Sequence, residues 1–78
     1  MKAAATPVRV GEVLSLTRSA SVQFSRRPIA VRVIRPLTDR HTYDGWLWID
    51  AYELGPAGDA VARRELFVRV DGLIRAGS

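Results

Sequence analysis

The side chains that could perform acid–base or nucleophilic chemistry are few and scattered along the chain. His41 is the single histidine, Asp39 lies two residues before it, and Ser25 is a candidate hydroxyl nucleophile. A Ser–His–Asp triad needs a nucleophile held in a defined geometry, and nothing around Ser25 resembles a nucleophile elbow. We therefore expect no catalytic residues and no enzymatic activity.

Metal and cofactor sites are not expected either. The chain has no cysteine and one histidine, whereas a zinc site needs three or four close ligands. The acidic pairs Asp39/Asp44 and Asp50/Glu53 fall in turns or at strand edges, where carboxylates commonly have structural roles. The six glycines are dispersed, so no phosphate-cradling loop is indicated.

Arginines and aromatic residues are the residue types in this sequence that suggest a binding function. Twelve basic residues against eight acidic ones give a net charge of +4, and eleven of the twelve are arginines. Small β-barrels can bind single-stranded nucleic acid by stacking bases on aromatic rings inside an arginine-lined groove. The candidates for such contacts are Arg26, Arg27, Arg32, Arg35, Arg40 and Tyr43.

The composition indicates one folded domain that positions these side chains. Apolar residues make up 47% of the chain and charged residues 26%, which is typical of a globular protein. Residues 1–6 offer little to pack and are expected to be loose, and residues 7–78 are expected to form a single domain. No apolar run is long enough to span a bilayer and no secretory signal pattern is present, so the expected location is the cytoplasm.

The pattern of β-branched runs and turn residues predicts an all-β fold. The predicted strands are Val8–Arg18, Ile29–Arg35, Trp46–Leu54, Ala60–Val70 and a short last strand after Asp71-Gly72. A long polar connection after the first strand and a tight hairpin between the third and fourth favour a five-stranded SH3-like barrel. An OB-type barrel is the second choice, because that fold usually carries a helix that no segment here predicts.

The turn Gly55-Pro56-Ala57-Gly58 predicts the pairing of the hairpin. A type I turn with positive φ at Gly58 places Leu54 opposite Ala60. The pairs that follow on the same face are Tyr52–Ala62, Asp50–Arg64, Trp48–Leu66 and Trp46–Val68. This face has the greater bulk, so we expect it to face the core, with Asp50 and Arg64 forming an ion pair near its rim.

The opposite face of the hairpin carries more apolar residues than a solvated sheet normally does. The irregular loops could cover it with Val22, Phe24 and Leu37. If the opposite face were the core side instead, the tryptophan face would be exposed, and that face is more apolar still. We expect this surplus face to bind a partner protein or a second copy of the chain, through Leu47, Ile49, Val61, Arg63, Phe67 and Arg69.

Four segments of the chain look familiar as a set: Val10–Val13, Ala20–Phe24, Thr42–Leu54 and Ala60–Arg64. Together they resemble short uncharacterised proteins encoded in high-GC actinobacteria, over most of residues 8–75. The resemblance implies a cytoplasmic bacterial protein, and it implies no activity and no site residues.

Overall fold

The computed structural model describes residues 8–75, and β-strands dominate them. The strands are β1 (Val13–Leu16), β2 (Ile29–Pro36), β3 (Trp46–Leu54), β4 (Ala60–Arg69) and β5 (Ile74–Arg75). Two short 3-10 turns, Val22–Phe24 and Val70–Gly72, precede β2 and β5. The all-β prediction is confirmed, and the prediction of a loose segment over residues 1–6 lies outside the described residues.

The strands form one antiparallel sheet in the order β4-β3-β2-β1-β5. β4 and β5 are its two edges. β1 begins at Val13 instead of Val8 because Gly11 adopts a φ of 84° and turns the chain. The Gly11 N–H still donates to the Val33 carbonyl at 2.7 Å, so the bend stays attached to β2.

The turn of the β3–β4 hairpin forms as predicted, but the pairing beyond it does not. The Gly58 N–H donates to the Gly55 carbonyl at 2.9 Å with Gly58 at a φ of 85°. Leu54 lies opposite Ala60, and the next pair is Glu53 with Ala62. Val61 is therefore an extra residue, a β-bulge, and it shifts every later pair by one position.

Because side chains alternate between the two sides of a strand, this shift reverses which β4 residues share a face with the tryptophans. The observed pairs on that face are Tyr52–Arg63, Asp50–Glu65, Trp48–Phe67 and Trp46–Arg69. It holds four charged residues, whereas the other face presents Leu66 and Val68 to Leu47 and Ile49. The prediction that the tryptophan face is the core side is therefore wrong: the inner face buries Leu47, Ile49, Leu66 and Val68, and its two charged residues, Glu53 and Arg64, stay partly exposed near the turn.

The core lies on the inner face of the sheet and is almost entirely aliphatic. Its strand residues are Leu14, Leu16, Val31, Val33, Leu47, Ile49, Ala51, Leu66 and Val68. Phe24 joins this cluster and Leu37 is also buried, while Val22 is 76% exposed. Leu47 and Ile49 are 8% and 0% exposed, so the prediction that they contact a partner is wrong.

The second 3-10 turn packs directly on the loop after β1. The Arg69 N–H donates to the Ala20 carbonyl at 2.7 Å, which ties the end of β4 to that loop. A Cβ atom at Gly72 would overlap the backbone carbonyl of Ser19. Only glycine permits this close approach of two backbone segments.

We expect Gly72→Ala to lower the free energy of unfolding by about 3 kcal/mol, because the added methyl group has no space against the Ser19 carbonyl. Urea denaturation measures the change. The neighbouring exposed substitution Asp71→Ala is the control and should stay within about 0.5 kcal/mol of the wild type. Equal stability of Gly72→Ala and wild type would contradict the close approach.

Candidate functional site

Four aromatic side chains gather on the outer face of the β3–β4 hairpin, and we call Tyr43, Trp46, Trp48 and Phe67 the aromatic cluster. The Phe67 ring lies 4.8 Å from Trp46 at an interplanar angle of 22° and 5.0 Å from Trp48. Tyr43, from the loop before β3, lies 6.3 Å from Phe67. The three strand residues are half-buried and Tyr43 is 75% exposed. Folding therefore covers most of the three strand rings and leaves the Tyr43 ring largely uncovered.

The loop between β2 and β3 forms a depression beside the cluster, which we call the aromatic notch. Its volume is about 400 Å³, and its lining residues are His41, Thr42, Tyr43, Trp48 and Phe67. Two backbone hydrogen bonds hold the loop: the Leu37 N–H donates to the Trp48 carbonyl at 2.8 Å, and the Trp46 N–H donates to the Tyr43 carbonyl at 2.9 Å. Three aromatic walls suit the notch to an apolar side chain.

Arg40, from the same loop, lies over Trp48. Its guanidinium carbon is 5.4 Å from the ring centroid, within cation–π range. Its Nη1 is 2.7 Å from Glu65 Oε1, and this hydrogen bond raises the pKa of Arg40. Arg40 thus joins the loop to β4 across the face of Trp48.

Asp50 is the buried charge of this face, with 2% of its surface exposed. Arg63 donates to both carboxylate oxygens, from Nε to Oδ1 at 3.1 Å and from Nη2 to Oδ2 at 2.6 Å. These hydrogen bonds lower the pKa of Asp50 against the opposing effect of its burial, and they raise the pKa of Arg63. The predicted Asp50–Arg64 pair is wrong, because the bulge moves Arg64 to the other side, where it binds Glu53 at 3.0 Å.

The two carboxylates in the middle of the outer face are compensated, and further arginines flank them on both neighbours of β3. Asp50 and Glu65 are each hydrogen-bonded or ion-paired to an arginine. On β4, Arg69 lies opposite Trp46. On β2, a bulge at Ile34 places Arg35 opposite Asp50, with its Nε 4.0 Å from Oδ2, and Arg32 lies opposite Tyr52.

Within residues 8–75, the side chains of Arg32 and Arg69 make no ion pair. The Arg35 side chain is 64% exposed. Arg32 and Arg69 are therefore available to a ligand, whereas Arg40 and Arg63 are hydrogen-bonded to carboxylates of the same face. Arg35 is also within reach of a ligand, because its 4.0 Å contact with Asp50 is weaker than the two hydrogen bonds that Arg63 makes to that carboxylate.

The structure separates the residues that the sequence proposed for partner binding. Arg63, Phe67 and Arg69 lie on the outer face. Val61 is 57% exposed but belongs to the bulge, beside Gly55 at the far end of the hairpin. The two tryptophans were missed because bulk alone assigned them to the core. The charges of their face give no such signal in the sequence, because Arg63, Glu65 and Arg69 join that face only through the bulge at Val61.

The proposed nucleic-acid residues also divide into two groups. Arg32, Arg35, Arg40 and Tyr43 reach the outer face or its border. Arg26 and Arg27 lie in the loop before β2, and Arg27 lines a depression beside Phe24 and Glu53 instead. A ligand on the outer face would contact the first group only.

No group of three or more histidine or acidic side chains within residues 8–75 is arranged to hold a metal ion. Neither 3-10 turn in that range approaches the length needed to cross a bilayer.

We expect Arg63→Ala to lower the free energy of unfolding by about 3 kcal/mol at neutral pH, because it leaves the buried Asp50 carboxylate without its two hydrogen bonds. Arg64→Ala is the matched control on the same strand. Its partner Glu53 is partly exposed, so the expected loss is under about 1 kcal/mol. Equal losses of stability in the two variants would contradict the conclusion that the buried Asp50 depends on Arg63.

The difference in stability between Arg63→Ala and wild type should depend on pH. Because the pKa of Asp50 is lower in the folded state than in the unfolded state, its pair with Arg63 stabilises the protein above the unfolded-state pKa. That contribution is lost as the pH falls through the folded-state value. Urea denaturation in acid should therefore show a smaller difference between Arg63→Ala and wild type than at neutral pH.

Comparisons with known proteins give no independent assignment of this face. The chain matches no family model, no curated protein and no solved structure. Its function must therefore be inferred from the geometry of the outer face.

Proposed function

We propose that this protein is a non-catalytic interaction module that binds a partner protein through the outer face of the β3–β4 hairpin. The observation that carries the proposal is the aromatic cluster, whose rings pack on one another outside the core. Tryptophan, tyrosine and arginine are the residues most enriched at the energetic centres of protein interfaces. The binding residues are Tyr43, Trp46, Trp48, Phe67 and Arg69, and Arg63 holds Asp50 beside them.

The cluster is held in place before any partner arrives. Phe67 is fixed between the two tryptophans, and Arg40 ties the loop to Glu65 over Trp48. A surface that is ordered in advance loses less conformational entropy when it binds. Because the bulge keeps these rings out of the core, their prior ordering favours a binding role.

The charge of the face favours a different protein over a second copy of the chain. Two copies that paired through the same face would bring their unpaired cations, Arg32 and Arg69, into one interface. Like charges placed against each other cost free energy, whereas a partner of opposite charge gains it. Self-association through this face is therefore the weaker form of the proposal.

Nucleic-acid binding is the second candidate function. It is supported by Arg32, Arg35 and the exposed Tyr43, which border the same face, because single strands bind by stacking and by charge. It ranks second because Asp50 and Glu65 lie in the middle of the path that a phosphate backbone would follow.

We also propose that the sheet is a small SH3-like barrel. The support is the element order: β5 follows a 3-10 turn and returns to pair with β1, and the longest hairpin joins β3 to β4. The hydrogen bond from Arg69 to Ala20 brings the end of β4 toward the loop after β1, as curvature of the sheet requires. Such a barrel leaves one face of its hairpin free for binding.

Phe67→Glu should abolish partner binding while the protein remains folded, because it places a charge at the centre of the half-exposed cluster. Peptides selected on the immobilised wild type from a random displayed library serve as ligands, with affinities measured by calorimetry. Val61→Glu makes the same charge change on the same strand, away from the cluster, and should leave the affinities unchanged. Selected peptides that bind Phe67→Glu as tightly as wild type would contradict the proposal.

The nucleic-acid candidate makes a separate prediction. Binding of oligothymidylate, followed by fluorescence anisotropy, should weaken steeply as salt rises, and Arg35→Ala should reduce the slope of log K against log salt by about 1. Weak binding with no effect of Arg35→Ala would count against this candidate and leave the protein-binding proposal unaffected.

A further inference from the structure

We infer, on the basis of the proposed function, that the partner is an extended acidic peptide segment in which two carboxylates flank one large apolar side chain. The inference joins two observations that are independent of each other. One is the shape of the aromatic notch, and the other is the position of the cations on the two strands that flank β3.

The notch supplies the site for the apolar side chain. Tyr43 and Trp48 form its walls and Phe67 contributes to its lining, in a volume of about 400 Å³. This is near the lower end of the range for small-molecule sites, and it suits one phenylalanine or leucine side chain. Tyr43 is 75% exposed, so covering it with an apolar group removes aromatic surface from water.

The cations lie on either side of the notch. Arg69 is opposite Trp46, and Arg35 is opposite Asp50. These positions are four residues apart along β3, which corresponds to about 13 Å at the rise of a strand. Arg69 is on β4 and Arg35 is on β2, about 10 Å apart across the sheet, so the two cations lie about 16 Å apart on a diagonal that crosses β3. Trp48 lies midway on this diagonal, so the notch falls between the two cations.

An extended peptide matches this arrangement because its residues i, i+2 and i+4 point to the same side. Carboxylates at i and i+4 of a peptide that crosses β3 diagonally then reach Arg69 and Arg35, whose long side chains cover the remaining distance, while the side chain at i+2 enters the notch. The planar guanidinium group binds a carboxylate through two parallel hydrogen bonds, which gives each end directional specificity.

The centre of the face argues against a continuous polyanion. Glu65 lies between the two ends with 51% of its side chain exposed, and the Asp50 carboxylate is beneath Arg63. A single-stranded nucleic acid carries a charge at every nucleotide, so it would place phosphates next to these carboxylates. A peptide with separated acidic residues avoids that repulsion.

The test uses three heptapeptides that contain no tryptophan, so that the fluorescence of Trp46 and Trp48 reports binding. The spaced peptide is Gly-Glu-Ser-Phe-Ser-Glu-Gly, and its composition-matched isomer is Gly-Ser-Glu-Phe-Glu-Ser-Gly. The third replaces both glutamates of the spaced peptide with lysine. We expect the spaced peptide to bind about ten-fold more tightly than the isomer, and the lysine peptide to show no binding.

Variants of the protein locate the carboxylate contacts. Arg69→Ala and Arg35→Ala should each weaken binding of the spaced peptide by about five- to ten-fold. Arg18→Ala removes the same charge from an exposed position in the loop after β1 and should have no effect. Circular dichroism confirms that each variant is folded.

Several results would overturn the inference. They are equal affinity for the two isomers, an equal effect of Arg18→Ala and Arg69→Ala, no binding of the spaced peptide at millimolar concentration, and tighter binding of octathymidylate at the same face. The proposed function fails by a different result: if selected peptides of any charge bind independently of Phe67, the face itself is wrong. If they require Phe67 but carry no acidic residues, only the inference about the partner is wrong.

Discussion

The alternation of side chains along a β-strand, interrupted once at Val61, determines what this hairpin buries and what it exposes. The turn at Gly55–Gly58 fixes the first pair, and the bulge moves the rest of β4 by one position. Leu66 and Val68 then meet the aliphatic residues of β3, while Phe67 meets the two tryptophans. The core and the proposed binding face are therefore two results of one backbone irregularity.

The stability of the hairpin and the proposed binding are connected through Asp50. This carboxylate is buried on a face that is otherwise open to solvent, and two hydrogen bonds from Arg63 compensate its desolvation. The pair joins β3 to β4 next to the rings, and Arg40 makes a similar connection from the loop to Glu65. The charged residues of the face thus fix the geometry of the apolar ones, and they leave Arg35 and Arg69 to a ligand.

Local signals in the sequence were enough to predict the hairpin, its turn and β2, because glycine, proline and β-branched residues act over a few positions. The register of the β3–β4 pairing was not predictable from local signals, because a bulge costs little free energy where it occurs. The register depends on which residues of the whole face become buried. Bulk alone predicts that the tryptophans lie in the core. A count of charges does not correct this, because the buried face holds two charged residues in either register: Asp50 and Arg64 in the predicted one, Glu53 and Arg64 in the observed one. Phe67, Arg63 and Arg69 were found because they are outside the core in both registers.

β4 is an edge strand of the sheet, and this position has a further consequence. Its unpaired backbone side could template the addition of another strand, the step that begins fibril growth. The bulge at Val61 and the charged side chains of Arg63 and Glu65 interrupt that edge, which discourages stacking of identical chains. The exposed part of the aromatic cluster therefore lies beside a strand edge that is protected against pairing with identical chains.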